Sequence, residues 1–177
     1  MSRNHDQAYQ SVGEYFCAFS ALERAVGKAL KVIYRLDQPE AADVIVAALG
    51  DMGKKVNLVW MASQMAKNAD GSETSHDWKN TAGRTMSEVW EYSNDRNRLA
   101  HSFLDPNTDG SVTIEGGMRD AGVHGTWTKY QFKAKAQRLS VLTQQVQTLT
   151  NDLSTFAITI PDADWISFTT KPGAPRF

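Results

Sequence analysis

Three residues suited to phosphate chemistry stand close together in the sequence, namely Arg96, Asn97 and His101. Histidine exchanges its proton near neutral pH, so its imidazole can take the proton of a ribose 2′-hydroxyl or protonate a leaving oxygen. The planar guanidinium of arginine fits phosphate oxygens and the negative charge that builds on them during reaction. Asn97 can orient the imidazole or donate to the same phosphate. Together these residue types indicate cleavage of a phosphodiester bond.

The three residues lie at the end of a long helical pattern that runs from about Ser75 to His101. Its apolar face consists of positions three and four apart, which are Ala82, Met86, Val89, Ser93, Arg96, Ala100 and Phe103. Arg96 is therefore expected on the buried face, where a guanidinium needs a carboxylate, a partner subunit or a phosphate. In an ideal helix Arg96 and His101 lie about 7.5 Å apart along the axis and roughly 140° apart in rotation. They meet if the helix distorts near His101, or if a second copy contributes across a two-fold axis.

A purely structural interpretation of the same residues stays open. In that interpretation His101 bonds the last carbonyls of its helix and Arg96 pairs with Glu23. Glu23 is either a carboxylate that positions Arg96 or transfers a proton, or an exposed residue beside an apolar face centred on Leu22. Arg98 either extends a basic rim toward RNA or lies on a solvated helix surface. The functional alternative assigns substrate binding to Arg98 and Glu23.

The segment Arg96-Asn97-Arg98-Leu99-Ala100-His101 resembles the signature of HEPN domains (higher eukaryotes and prokaryotes nucleotide-binding). That signature is an arginine, a polar residue that is often asparagine, a short spacer and a histidine, late in a helix of an all-α bundle. Many members are metal-independent RNA-cleaving enzymes, often toxins or defence effectors, and act as homodimers whose two motifs form one cleft. The resemblance therefore implies RNA as substrate, a homodimer, and catalytic roles for Arg96, Asn97 and His101.

The same resemblance bears on control and on an alternative function. An antitoxin protein is a candidate partner, because toxins of this family are often paired with one. One subgroup carries a tyrosine two residues after the histidine, whereas this chain has Phe103 there, so control by modification of such a tyrosine is not implied. Other members have lost catalysis. The alternative is therefore a non-catalytic HEPN-like bundle that binds a protein or a nucleotide as a dimer.

The wider pattern predicts an all-α fold, an antiparallel helical bundle of four to five helices with a small β-hairpin insert before the last helix. The last helix has the clearest pattern, since its apolar residues alternate at steps of three and four, as in antiparallel packing; they are Leu139, Leu142, Val146, Leu149, Leu153 and Phe156. The predicted helices lie at about 6–35, 41–49, 54–67, 75–101 and 133–157, and the strand-like runs at 111–115 and 126–132. A single domain over 1–177 then contains a hairpin insert at about 108–132 and an extended tail at about 159–177.

Composition narrows the class of protein. The net charge of −1 gives no overall attraction to nucleic acid, so any phosphate binding must come from a local patch. The single Cys17 excludes an intrachain disulfide, and neither a signal peptide nor a membrane span is expected, so the predicted compartment is the cytoplasm. The sequence has no Walker loop, dinucleotide fingerprint or histidine pair with metal-ligand spacing, so no cofactor or metal is expected.

Overall fold

The computed structural model describes residues 3–35, 39–116 and 125–158, which form five α-helices and a small sheet. In chain order these are α1 (Arg3–Ile33), α2 (Pro39–Ala48), α3 (Met52–Met65), α4 (His76–Ala100), β1 (Phe103–Pro106), β2 (Val112–Glu115), β3 (Gly125–Trp127) and α5 (Lys129–Thr155). This mostly helical architecture, with its sheet before the last long helix, confirms the predicted fold class. The predicted tail lies outside the described residues. Within the described part of the chain, no helix has the length and apolar character of a membrane span.

The sheet has one strand more than the predicted hairpin. Its strands pair in the order β1–β2–β3, and both pairs are antiparallel. Val112 of β2 lies opposite Trp127 of β3, and Phe103 of β1 lies opposite Glu115 of β2. The sequence prediction omits β1 because a four-residue strand that ends in Pro106 carries little local signal. The strand β1 can be recognised only in the structure, from its antiparallel hydrogen bonding to β2.

The last helix begins earlier than predicted. The sequence-based strand extends to Phe132 and is wrong from Lys129 onward, because α5 begins at that residue. Thr128 and Gln131 form a reciprocal capping box at this point. The backbone N–H of Thr128 donates to Oε1 of Gln131 at 2.7 Å, and the backbone N–H of Gln131 donates to Oγ1 of Thr128 at 3.3 Å. These bonds satisfy donors that a helix start leaves free, so they favour helix over strand.

The described residues divide into two compact units. The first unit contains the described residues of Met1–Ala21 and Tyr92–Val141, which comprise the beginning of α1, the end of α4, the sheet and the beginning of α5. Its core is aromatic, because the fully buried Tyr15 packs edge-on against Phe16, Trp127 and Phe132 with ring centroids 5.7 to 6.2 Å apart. Edge-to-face aromatic pairs contribute stability beyond their burial.

The second unit contains the described residues of Leu22–Glu91 and Leu142–Phe177. Its core is mainly aliphatic and includes Leu22, Val26, Leu30, Val56, Val59, Met86, Leu142 and Leu153, all fully buried or nearly so. Asp51 caps α3, since its side chain accepts a hydrogen bond from the backbone N–H of Gly53 at 2.9 Å. Gly53 also permits a close approach, because a Cβ atom there would lie 2.6 Å from the ring of Trp90.

Candidate functional site

The predicted catalytic residues lie in the last turn of α4 and just beyond it, in the first unit. The backbone N–H of His101 donates to the carbonyls of Asn97 at 3.1 Å and Arg98 at 3.3 Å, a shared bond typical of a helix end. The hydroxyl of Ser102 donates to the carbonyl of Arg98 at 2.6 Å. A serine side chain therefore satisfies a terminal carbonyl, the role that the structural interpretation gives to the imidazole of His101. That imidazole is exposed and has no hydrogen-bond partner among the described residues.

Arg96 is half-buried, and its contacts within the described residues are neutral. Its Nη1 donates to Oδ1 of Asn97 at 3.1 Å, and its guanidinium carbon lies 5.7 Å from the ring centroid of Phe19 in α1. No carboxylate in the described ranges pairs with this guanidinium within 4.0 Å. Asn97 and Phe19 therefore hold the side chain in place without offsetting its charge. A partly desolvated cation in this state favours an anion.

Asp95, the carboxylate nearest in sequence to Arg96, forms an ion pair with a different cation. Asp95 lies 2.6 Å from the ammonium of Lys135 in α5, and both side chains are mostly buried. The same ammonium lies 4.5 Å from the ring centroid of Trp127 and 5.2 Å from that of Tyr92. Aromatic faces attract cations, so Lys135 is restrained by one carboxylate and two rings.

Tyr15 places an unsatisfied hydroxyl in the core of the same unit. Its ring is fully buried, and its hydroxyl has no hydrogen-bond partner among the described residues. Burial raises the pKa of Tyr15 well above its ordinary value, the charges of Asp95 and Tyr92 raise that pKa further, and the Arg96 guanidinium opposes the shift. The hydroxyl therefore stays protonated at physiological pH and can act only as a neutral group.

The two predicted substrate-binding residues, Arg98 and Glu23, have surroundings different from those of Arg96. Arg98 is exposed on α4. Glu23 is half-buried in the second unit, where its carboxylate lies 3.5 Å from the ammonium of Lys55, a side chain that is itself only 8% exposed. The partner that the structure gives Glu23 is thus Lys55. Its suggested role in substrate binding stays a prediction.

Sequence reasoning missed most of the residues that surround Arg96. Asp95 and Tyr92 lie three residues apart on α4, so they face the same neighbour, but nothing local marks that neighbour as Lys135. Tyr15 could have been found from its spacing of four residues to Phe19 on α1, which places the two rings on one helix face. In the part of the chain that the structure describes, no group of three or more His, Cys, Asp or Glu side chains is placed to hold a metal ion.

No protein-family model, curated protein or solved structure matches this chain. The resemblance to HEPN domains therefore depends on the six-residue motif and on the helical architecture that carries it.

Proposed function

We propose that this chain is a cytoplasmic, metal-independent endoribonuclease of HEPN type, a toxin or defence effector that acts as a homodimer and can be controlled by an antitoxin. The observation that carries the proposal is the half-buried guanidinium of Arg96, whose contacts in the described residues are all neutral. Binding of an RNA phosphate would offset this charge. His101, exposed five positions later, supplies a group that exchanges protons near neutral pH.

The proposed reaction is an internal transesterification of RNA. His101 removes the proton of a ribose 2′-hydroxyl, and the 2′-oxygen forms a bond to the adjacent phosphorus while the bond from phosphorus to the 5′-oxygen breaks. The leaving 5′-oxygen takes its proton from the second imidazole of the dimer. The products are a 2′,3′-cyclic phosphate and a 5′-hydroxyl. Arg96 offsets the charge that develops on the phosphate oxygens, and Asn97 holds Arg96 for that role.

Two features support a site shared between protomers. Positions 96 and 101 point in directions roughly 140° apart on an ideal helix, which makes a shared cleft easier to build than one within a single chain. In addition, the exposed imidazole of His101 and the exposed Arg98 leave this end of α4 open to a partner or to RNA. In the proposal, Arg98 contacts a phosphate next to the one that is cleaved.

The test is cleavage of a mixed RNA substrate in excess EDTA. General acid–base groups typically contribute 10²- to 10⁴-fold, so we expect His101→Ala to lower the rate by about 100-fold or more. His76→Ala is the matched control, because His76 is an exposed histidine at the other end of the same helix. It should cleave like the wild type. Equal cleavage by folded His101→Ala and wild-type protein would contradict the proposal.

The net charge of −1 favours a second candidate, the non-catalytic dimer module that binds a protein or a nucleotide. The same variants separate the two candidates. If the wild type cuts no RNA while His101→Ala weakens the dimer or lowers the melting temperature, the motif serves dimer structure. If the wild type cuts RNA and His101→Ala does not, the nuclease proposal is supported.

A further inference from the structure

The position of Asp95 poses a difficulty for any anion site at Arg96. A carboxylate and a guanidinium form short, charge-assisted hydrogen bonds, so a free aspartate beside Arg96 would compete with a phosphate. The side chain of Arg96 already reaches one residue along the helix, to Oδ1 of Asn97 at 3.1 Å. Asp95 is the neighbour of Arg96 on the other side along the chain. The charges of both residues act on the hydroxyl of Tyr15, which places both near one buried ring.

In the structure, Asp95 is paired with Lys135 of α5 and not with Arg96. Its Oδ2 accepts a hydrogen bond from Nζ of Lys135 at 2.6 Å. The two side chains are 25% and 30% exposed, so solvent screens the pair only partly. Trp127 from β3 and Tyr92 from α4 flank the ammonium, at 4.5 and 5.2 Å from their ring centroids. Lys135 thus has little freedom to leave Asp95.

We propose that Lys135 is a positioning residue that holds the carboxylate of Asp95 away from Arg96 and so keeps the guanidinium available to an RNA phosphate. This inference rests on the proposed nuclease function for its substrate. Lys135 touches neither RNA nor the reacting atoms, and it acts through Asp95. Loss of Lys135 should therefore slow RNA cleavage only while Asp95 carries its charge.

The test is a double-mutant cycle on RNA cleavage in EDTA. Lys135→Met keeps the aliphatic bulk of the side chain and removes its charge, and we expect it to lower the rate by about tenfold or more, since Asp95 then pairs with Arg96. Asp95→Asn should cleave nearly like the wild type, and adding it to Lys135→Met should restore the rate to within about threefold of the wild type. Lys79→Met is the matched control, because Lys79 also forms a 2.6 Å ion pair, with Glu73 in the second unit.

Two results in this cycle would overturn the inference. One is a Lys135→Met protein that cleaves RNA like the wild type. The other is a folded double variant that is as slow as Lys135→Met, because the lysine would then act independently of the Asp95 carboxylate. Thermal melts of all four proteins identify any loss that comes from unfolding.

A second measurement tests the role of Lys135 even if the protein cuts no RNA. The Nε–Hε resonance of Arg96 in ¹⁵N-labelled protein is followed while inorganic phosphate is added. We expect it to shift in the wild type and in the double variant, and to respond at least about tenfold more weakly in Lys135→Met. Equal responses in all three proteins would overturn the role of Lys135. If the wild type cuts no RNA but still shows this pattern, the nuclease proposal is refuted and the role of Lys135 is supported.

Discussion

The hydroxyl of Tyr15 provides a sharp test of how the first unit is packed. A buried polar group without a hydrogen bond costs about 1–3 kcal/mol in proteins. Tyr15→Phe removes that group and keeps the ring, whose edge contacts with Trp127 and Phe132 have centroids 6.2 and 6.1 Å apart. We therefore expect the free energy of unfolding to rise by about 1 kcal/mol. In a chain of this size that corresponds to a melting temperature higher by roughly 2–4 °C.

Urea unfolding at pH 7, followed by circular dichroism, measures this change. Tyr34→Phe is the matched control, because Tyr34 is only half-buried and lies in the second unit. Its stability should change by less than about 0.5 kcal/mol. If Tyr15→Phe instead lowers the free energy of unfolding by about 1 kcal/mol or more, the hydroxyl has a bound partner in solution and the reasoning from its burial is refuted.

The same substitution has a pH-dependent consequence. The pKa of Tyr15 is raised by burial, so above the ordinary tyrosine pKa of about 10 the unfolded chain loses this proton while the folded chain keeps it. Stability therefore falls as the pH rises beyond about 10. Tyr15→Phe should remove most of that decline, and a smaller decline should remain because burial also raises the pKa of Tyr34. Urea midpoints between pH 8 and pH 11 give the comparison, and identical declines in the two proteins would contradict it.

Two further substitutions test the packing of the second unit. Gly53→Ala places a Cβ atom 2.6 and 2.9 Å from two ring carbons of Trp90, so overpacking of about 1–3 kcal/mol should exceed the helical gain of alanine. A urea midpoint at or above that of the wild type would show that the ring moves aside. Trp78→Phe removes the Nε1–H that donates to Asp152 at 2.8 Å, and it should lower the free energy of unfolding by about 1–3 kcal/mol. An unchanged midpoint would mean that water replaces this bond at no cost.

The helical periodicity of the sequence predicted most of the buried face of α4. Ala82, Met86, Val89 and Ser93 are buried as expected, and Arg96 is half-buried at the edge of that face. The pattern fails beyond Arg96, because Ala100 ends the helix and is exposed. Phe103 lies in β1 and is 73% exposed. A period of 3.6 residues predicts burial only while the helix continues.

The helical pattern of α1 predicted much of its buried face but left out Tyr15. Its positions three and four apart are Val12, Phe16, Phe19, Glu23, Val26, Leu30 and Ile33. The last three and Phe19 are buried, whereas Val12, Phe16 and Glu23 are half-buried. The buried face is wider than this pattern, and Tyr15 lies on it seven residues before Leu22. The sequence therefore did not reveal Tyr15 as a neighbour of Arg96.

The contacts that define the candidate site join distant parts of the chain. Asp95 and Lys135 are 40 residues apart, and the pair forms only because the end of α4 and the beginning of α5 come together in the first unit. No local pattern encodes such a pairing. The capping box of Thr128 and Gln131, in contrast, is a local signal in the sequence, but the β-formers around it favour a strand at the same place.

The most direct test of the central claim uses an RNA oligonucleotide that the wild-type protein cuts, compared with the same oligonucleotide carrying a 2′-deoxyribose on the 5′ side of the cut. Transesterification through His101 needs the 2′-hydroxyl. In EDTA we expect the RNA to yield a 2′,3′-cyclic phosphate and a 5′-hydroxyl, and the deoxy-substituted strand to stay intact at that position. Cleavage of both strands at similar rates, or products with a 5′-phosphate, would contradict the claim.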